Sequence, residues 1–297
     1  MASVIDPEHA AWALGVLAPG GTLREARGLH EGGAPWLLRA VAVDGTVVEA
    51  VLRVGPSGAP DDIRTEAAAL RLAGANGLPV PTVLAIRDDV NPALLLIEHV
   101  SGSSEIPLER RSLRLRRLGA FAALLASIVP PPDFVQRTRA LSGVDFAQLR
   151  REAAPQPLLQ RAEAIVDSRV PQVREGLVHG DMWQGNSMWV GDDLTAIIDW
   201  DGAGRGPAGI DLGSLRLDAA MCFGFGAARD VLAGWQEVRG REFNLPYWDL
   251  VACLSTPPDL DWFVTATQAQ GRPDLTRALM RERRDAFLGR ALQRIGG

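Results

Sequence analysis

A chain of 297 residues, 47% of them hydrophobic, suits one large domain or two lobes around an ordinary core. Its net charge of −5 is the opposite of the basic excess of a general nucleic-acid binder, so no nucleic-acid partner is expected. Cys222 and Cys253, the only cysteines, are too few for a disulfide framework or a cysteine-based zinc site.

The opening stretch, MASVIDPEHAAWALGVLAPGG, lacks a basic run and carries Asp6 and Glu8, unlike a secretory leader. No apolar run approaches the length of a membrane span. A cytoplasmic protein without membrane contact is expected. All 31 basic residues are arginines, so any task usually given to lysine falls here to arginine or to nothing.

From about 22 to 54, apolar runs alternate with EGGAP and VDGT, the punctuation of antiparallel strands and hairpins. DDIRTEAAALRLAGANG then predicts one helix, capped by Asp61 or Asp62 and ended by Gly74 or Gly77. PTVLAIR and ALLLIEHV read as two further strands around a DDVNP turn. Residues 1–100 are thus expected to form a small antiparallel sheet with one helix. After SGSS the pattern turns helical: an Arg-rich stretch at about 105–128, helices through 145–168, and more from about 215. Residues 101–297 should form a larger, mainly helical part, making the fold class α+β.

The chemistry concentrates in LVHGDMWQGNSMWVGDDLTAIIDWDGAGRGPAGIDLG, residues 177–213. NSMWV, GDD and LTAIID predict a hairpin centred between Asp192 and Asp193, which sets Asn186 opposite Asp199 with Cα atoms about 4.5–5.5 Å apart. An amide oxygen and a carboxylate so placed can share one hard cation, and Mg²⁺ is the usual one beside phosphates. Asp181, just upstream in an irregular loop, is placed to accept a proton from an attacking hydroxyl. An Asp or Asn at a strand entry is ordinarily a turn residue. Three of them at these spacings on one hairpin point to phosphoryl transfer.

The run His-Gly-Asp-x-x-x-x-Asn followed by Ile-Asp-Trp, with a further Asp-Leu at Asp211, resembles the aminoglycoside phosphotransferase family of kinase-like phosphotransferases. The resemblance implies a two-lobed, protein-kinase-like fold. It implies Asp181 as catalytic base, Asn186 and Asp199 as Mg²⁺ ligands, His179 as a structural member of the loop and Asp211 as its brace. The donor would be ATP or GTP, and the acceptor a hydroxyl of a small molecule, an antibiotic or a metabolite. In the family a strand lysine grips the nucleotide phosphates and pairs with a helix glutamate. Here EAVLRV puts Arg53 in that place, with Glu66 as its partner. Ile63, Glu66, Ala67 and Leu70 share one helical face, so Glu66 needs a counter-charge.

Weaker matches surround these. HEGGAP either lays the backbone of Gly32 and Gly33 over the nucleotide or is a plain hairpin turn. LLLIEHVSG resembles the interlobe hinge, with the Glu98 carbonyl and the Val100 amide facing the adenine edge and His99 exposed. Trp183 stands where protein kinases carry a catalytic-loop lysine, and it either walls a substrate pocket or packs. Asp201 and Trp262 are the other pocket candidates. From 215 onward ten acids balance eleven arginines, and the aromatic content is high. That composition points away from a polycation and towards a neutral or partly apolar hydroxyl compound. The arginine at 53 and the tryptophan at 183 leave a catalytically silent nucleotide- or ligand-binding protein as the alternative. The intact Asp181, Asn186 and Asp199 disfavour it.

Overall fold

The computed structural model describes residues 4–30, 33–168, 170–241 and 244–295. The chain divides into two compact units, Met1–Ser101 and Gly102–Gly297.

The first unit is built on a five-stranded antiparallel sheet. Its strands are β1 (Thr22–His30), β2 (Gly33–Val41), β3 (Val47–Val54), β4 (Val83–Arg87) and β5 (Leu94–Glu98), in the order β1-β2-β3-β5-β4. Alternation sorts the side chains by face. Trp36, Leu38, Ala50, Leu52, Leu94 and Leu96 form one buried cluster, which Ala13 of helix α1 (Pro7–Leu17) joins. Residues of opposite parity, such as Arg53 and its cross-strand partner Leu95, belong to the other face. Both faces of β5 are therefore covered, which explains why Leu94 to Ile97 are all buried.

Two helices, not one, accompany this sheet. The missed helix α1 has clear start signals: the Asp6 side chain accepts from the Glu8 and His9 amides at 2.8 and 3.4 Å, and Pro7 follows it. Helix α2 (Pro60–Ala75) starts two to three residues earlier than a cap at Asp61 or Asp62 implies. Ala59 is its N-cap, and Asp61 and Asp62 lie in the first turn, where they favour the helix dipole without capping it. Asp61 pairs instead with Arg64 at 2.9 Å. The helix ends at Asn76, followed by Gly77 at φ +76°.

The second unit is mainly helical. Helices α3 (Ser112–Leu125), α4 (Phe146–Glu152) and α5 (Pro157–Ser168) come first. Four short strands follow: β6 (Glu175–Val178), β7 (Ser187–Val190), β8 (Asp193–Ile197) and β9 (Gly204–Pro207). They pair antiparallel as β6–β9 and β7–β8. Helices α6 (Gly209–Phe223), α7 (Phe225–Arg239), α8 (Leu245–Leu254), α9 (Asp261–Ala269) and α10 (Arg277–Ile295) complete it. The 105–128 helix is thus shorter than expected, and the later helices begin at 209 rather than 215. Helices α3 and α7 meet through Gly119 and Gly234. A Cβ at either would lie 1.9 or 1.8 Å from a carbonyl oxygen of the facing helix, so only glycine allows that approach. Among the described residues no helix is long and apolar enough to cross a membrane.

Candidate active site

The β7–β8 hairpin carries the site, but its register differs from the expected one. Ser187 pairs with Ile197 and Met188 with Ala196, after which a bulge brings Trp189 opposite Leu194 and Val190 opposite Asp193. The turn is therefore Gly191–Asp192, with Gly191 at φ +61° as a two-residue hairpin requires. Asn186 faces Ile198, whose amide donates to the Asn186 carbonyl at 2.9 Å. Asp199 lies one residue beyond the pairing and is not the cross-strand partner of Asn186. Its φ of +67° is uncommon for a residue with a side chain and bends the chain there.

Asn186 closes a short 3₁₀ turn, Gln184–Asn186, rather than opening a strand. Its Nδ2 donates to the Asp181 carbonyl at 2.9 Å and to Asp181 Oδ2 at 3.1 Å. The amide thus orients the carboxylate of residue 181 and turns its own oxygen end away from that contact. Burial first, and then the charges of Asp199 and Asp201, push the Asp181 carboxyl up to about 7, while the Asn186 contact opposes the rise. Asp181, Asn186, Asp199 and Asp201 are therefore brought together.

Two glycines make this convergence possible. Gly180 has φ +80°, and a Cβ there would lie 2.1 Å from the Gly202 carbonyl oxygen. The segment bearing Asp181 rests directly on the one bearing Asp199 and Asp201. Beneath it, Asp211 in the first turn of α6 accepts from the His179 and Gly180 amides at 2.8 and 3.0 Å. His179 is fully buried, its Nε2 2.9 Å from the Ile198 carbonyl and its Nδ1 accepting from the Asp181 amide at 3.3 Å. Both ring nitrogens are thus engaged with backbone, the pattern of a structural imidazole.

Could these residues hold Mg²⁺? Among the described residues no three His, Cys, Asp or Glu side chains form a ready-made metal cage. Mg²⁺ beside phosphates needs only one or two carboxylates, the phosphates and water completing its shell. An amide oxygen at 186 and a carboxylate at 199, with the phosphates and water completing the shell, form a donor set that fits such an ion.

Asp181 also opens onto a cavity of about 330 Å³ within the helical unit. Leu141, Met182, Trp183, Leu217, Met221 and Trp262 give it mostly apolar walls. Trp183 both lines this cavity and packs. Its ring lies over Gly185, where a Cβ would come within 2.2 Å, and it leans on the helical core. Trp262 stacks on Phe263 and meets Phe146 edge-on at 5.9 Å. Asp201 is exposed and does not line this cavity. A charged lining residue was missed, Asp218, to which Gln184 donates from behind at 2.7 Å. Asp218 lies seven residues after Asp211 on α6, two turns along the same face.

In the first unit, Arg53 Nε sits 2.8 and 2.9 Å from the two Glu66 carboxylate oxygens, and Glu66 is 2% exposed. Ile63, Ala67 and Leu70 are buried beside it, as their spacing implied. Gly33 begins β2 at φ +115° and pairs with His30. Gly32 lies outside the described residues. Glu98 ends β5, its amide donating to the Thr82 carbonyl at 2.8 Å, and Val100 follows the strand half-buried. His99 is not simply exposed, since its Nδ1 lies 2.9 Å from Glu49.

The braced His-Gly-Asp loop, the asparagine-held aspartate and the second acidic segment beside it are compatible with phosphoryl transfer. Residues 30–251 match the phosphotransferase enzyme family APH, and the chain belongs to that family of enzymes. Among curated protein sequences none matches. Several solved structures share the fold. A spectinomycin phosphotransferase in complex with ADP and spectinomycin has a TM-score of 0.63 at 13% identity, covering 98% of this chain and 100% of that one. The macrolide 2'-phosphotransferase of Brachybacterium faecium gives 0.60 at 19%, over 94% and 96% of the two chains. An aminoglycoside-3'-phosphotransferase of type VIII gives 0.57 at 22%, over 82% and 98%.

Proposed function

We propose that this protein transfers the γ-phosphoryl group of ATP or GTP to a hydroxyl of a small molecule, an antibiotic or a metabolite, in the cytoplasm. One observation carries this reading: the Asp181 carboxylate, held by Asn186 beside Asp199 and Asp201, opens onto a cavity large enough for an acceptor. Asp181 orients the acceptor hydroxyl and takes its proton as the oxygen attacks the γ-phosphorus and the bond to the nucleoside diphosphate breaks. Asn186 and Asp199 would hold Mg²⁺, which when bound neutralises phosphate charge. Asp211 and His179 keep the loop in place.

Arg53 is assigned the grip on the nucleotide phosphates, with Glu66 fixing its guanidinium. Gly33 backbone, the Glu98 carbonyl and the Val100 amide are assigned to the nucleotide as well, on the strength of the family pattern. The lysine-to-arginine exchange preserves the charge and adds a second donor edge. Arg53→Ala is expected to weaken nucleotide binding roughly 10–100-fold, the value of one charge-assisted contact. Arg53→Lys, which keeps a cation beside buried Glu66, separates lost phosphate contact from lost stability. Nucleotide titration of both variants checks this.

The reading as a whole is tested by incubating the protein with labelled ATP or GTP and a panel of hydroxyl compounds. Label appearing on an acceptor supports it. Well-folded protein that binds nucleotide but labels nothing would favour the silent binding protein instead.

A further inference from the structure

A second carboxylate reaches the acceptor cavity, in surroundings unlike those of Asp181. Asp218 is 6% exposed and lines the wall. Its Oδ2 accepts from Gln184 Nε2 at 2.7 Å and from the Gln184 amide at 3.3 Å, and Cys222 Sγ lies 3.7 Å from Oδ1. All three donors are neutral. Among the described residues no basic side chain forms an ion pair with it. Arg272, whose charge reaches Asp218 through space, is bound to Asp274 at 2.7 and 2.8 Å and to the Cys222 carbonyl at 3.0 Å.

Three of the four hydroxyls around the same cavity are already committed, Ser214 being the fourth. Ser255, Thr256 and Thr267 donate to the carbonyls of Val251, Cys253 and Phe263 at 2.9, 2.8 and 2.9 Å. Asp181 and Asp218 are the two ionisable groups on walls otherwise dominated by Leu141, Met182, Trp183, Met221 and Trp262. An apolar ligand filling this space would strip the remaining water from Asp218 and give it nothing in return, which is unfavourable for a buried charge. A ligand bringing an ammonium group would instead supply the missing counter-charge. One such group is enough. The acids of the PPDLDW stretch, Asp259 and Asp261, do not line the cavity, and Asp261 is paired with Arg277 at 2.5 Å.

We propose that Asp218 is a specificity-determining residue that receives a protonated amine, so that the acceptor is an amino alcohol with an apolar body rather than a polycation or an uncharged alcohol. This rests on reading Asp181 as the base, because the hydroxyl must reach Asp181 while the amine sits at Asp218. Asp218 also anchors Gln184, in the same loop as Asp181. A purely structural role would make it a second brace beside Asp211, and the two roles have different consequences.

The test uses ligand twins differing only in ammonium against methyl: 2-amino-3-phenylpropan-1-ol with 2-methyl-3-phenylpropan-1-ol, and 2-amino-4-methylpentan-1-ol with 2,4-dimethylpentan-1-ol. Binding is followed by tryptophan fluorescence, since Trp183 and Trp262 line the cavity, in wild type and in Asp218→Asn. That variant removes the charge but keeps an oxygen for Gln184. The ammonium twin should bind wild type at least about tenfold more tightly. In the variant the preference should shrink to about twofold or less, with the methyl twin binding as before. Equal binding of the twins to wild type, an ammonium preference that survives the substitution, or no binding of either twin would overturn the proposal. So would weakening of both twins alike, which would make Asp218 a brace. Labelled ATP and GTP are then offered with the bound twin. Selective binding without transfer would sink the phosphotransfer reading and leave the role of Asp218 standing.

Discussion

Asp181→Asn is expected to lower kcat by roughly 10²–10⁴-fold, the usual contribution of a positioned general base, while nucleotide affinity stays nearly intact. The substitution is close to isosteric, so the loop braced on Asp211 keeps its course. What it removes is the ability to accept a proton. The carboxyl at 181 is held near neutrality by burial and by its acidic neighbours, which is where a base combines availability with driving force. Neutralising it also relieves the repulsion from Asp199 and Asp201, so no loss of stability should accompany the loss of turnover. Steady-state kinetics together with thermal denaturation check both halves. Unchanged turnover would remove Asp181 from the chemistry.

The largest effect on stability is expected away from the site, at Asp249→Ala. Arg216 on α6 and Asp249 on α8 form a two-pronged ion pair, Nε to Oδ1 at 2.9 Å and Nη2 to Oδ2 at 3.0 Å. Arg216 Nη1 donates to the Ala228 carbonyl of α7 at 2.8 Å, so the guanidinium ties three helices together. Arg216 is 1% exposed. Removing the carboxylate leaves that cation buried without a counter-charge, at a cost of about 3–5 kcal/mol. Replacing both partners by apolar residues of similar volume, as in Arg216→Met with Asp249→Leu, should recover most of it, because the desolvation penalty disappears with the charges. Urea denaturation of the three proteins gives the comparison. A single variant as stable as wild type would show that the pair is not buried as described.

The site was legible where chemistry fixes residue type and spacing together. Asp181, Asn186 and Asp199 stood out because oxygen ligands at set intervals suit a metal-phosphate centre, and His179 and Asp211 because they complete a run that resembles the family's. The Arg53–Glu66 pair stood out because Arg53 takes the place of the family's strand lysine and a glutamate on an apolar helix face demands a cation. The architecture of a small antiparallel sheet and a larger helical part followed from turn residues and periodicity. Three things were not legible for identifiable reasons. The register of the β7–β8 hairpin depends on which residue takes positive φ in the turn and on the extra residue of a bulge. GDD allows more than one answer to both. Helix α1 was hidden because its apolar residues were weighed only against a secretory leader, although Asp6–Pro7 is a good start signal. Asp218 went unnoticed because a single aspartate in an apolar helix carries no motif. Its meaning comes from lying two turns beyond Asp211, against a cavity assembled from α6, α8 and α9.

The most direct test of the central claim is calorimetric titration of ATP, and then GTP, with and without Mg²⁺, into wild type and Asp199→Ala. We expect Mg²⁺-dependent binding of at least one nucleotide to wild type, and its loss in the variant while the fold is retained. Equal, metal-independent binding by both proteins, or no binding of either nucleotide to folded wild type, would contradict a phosphoryl-transfer site built on Asn186 and Asp199.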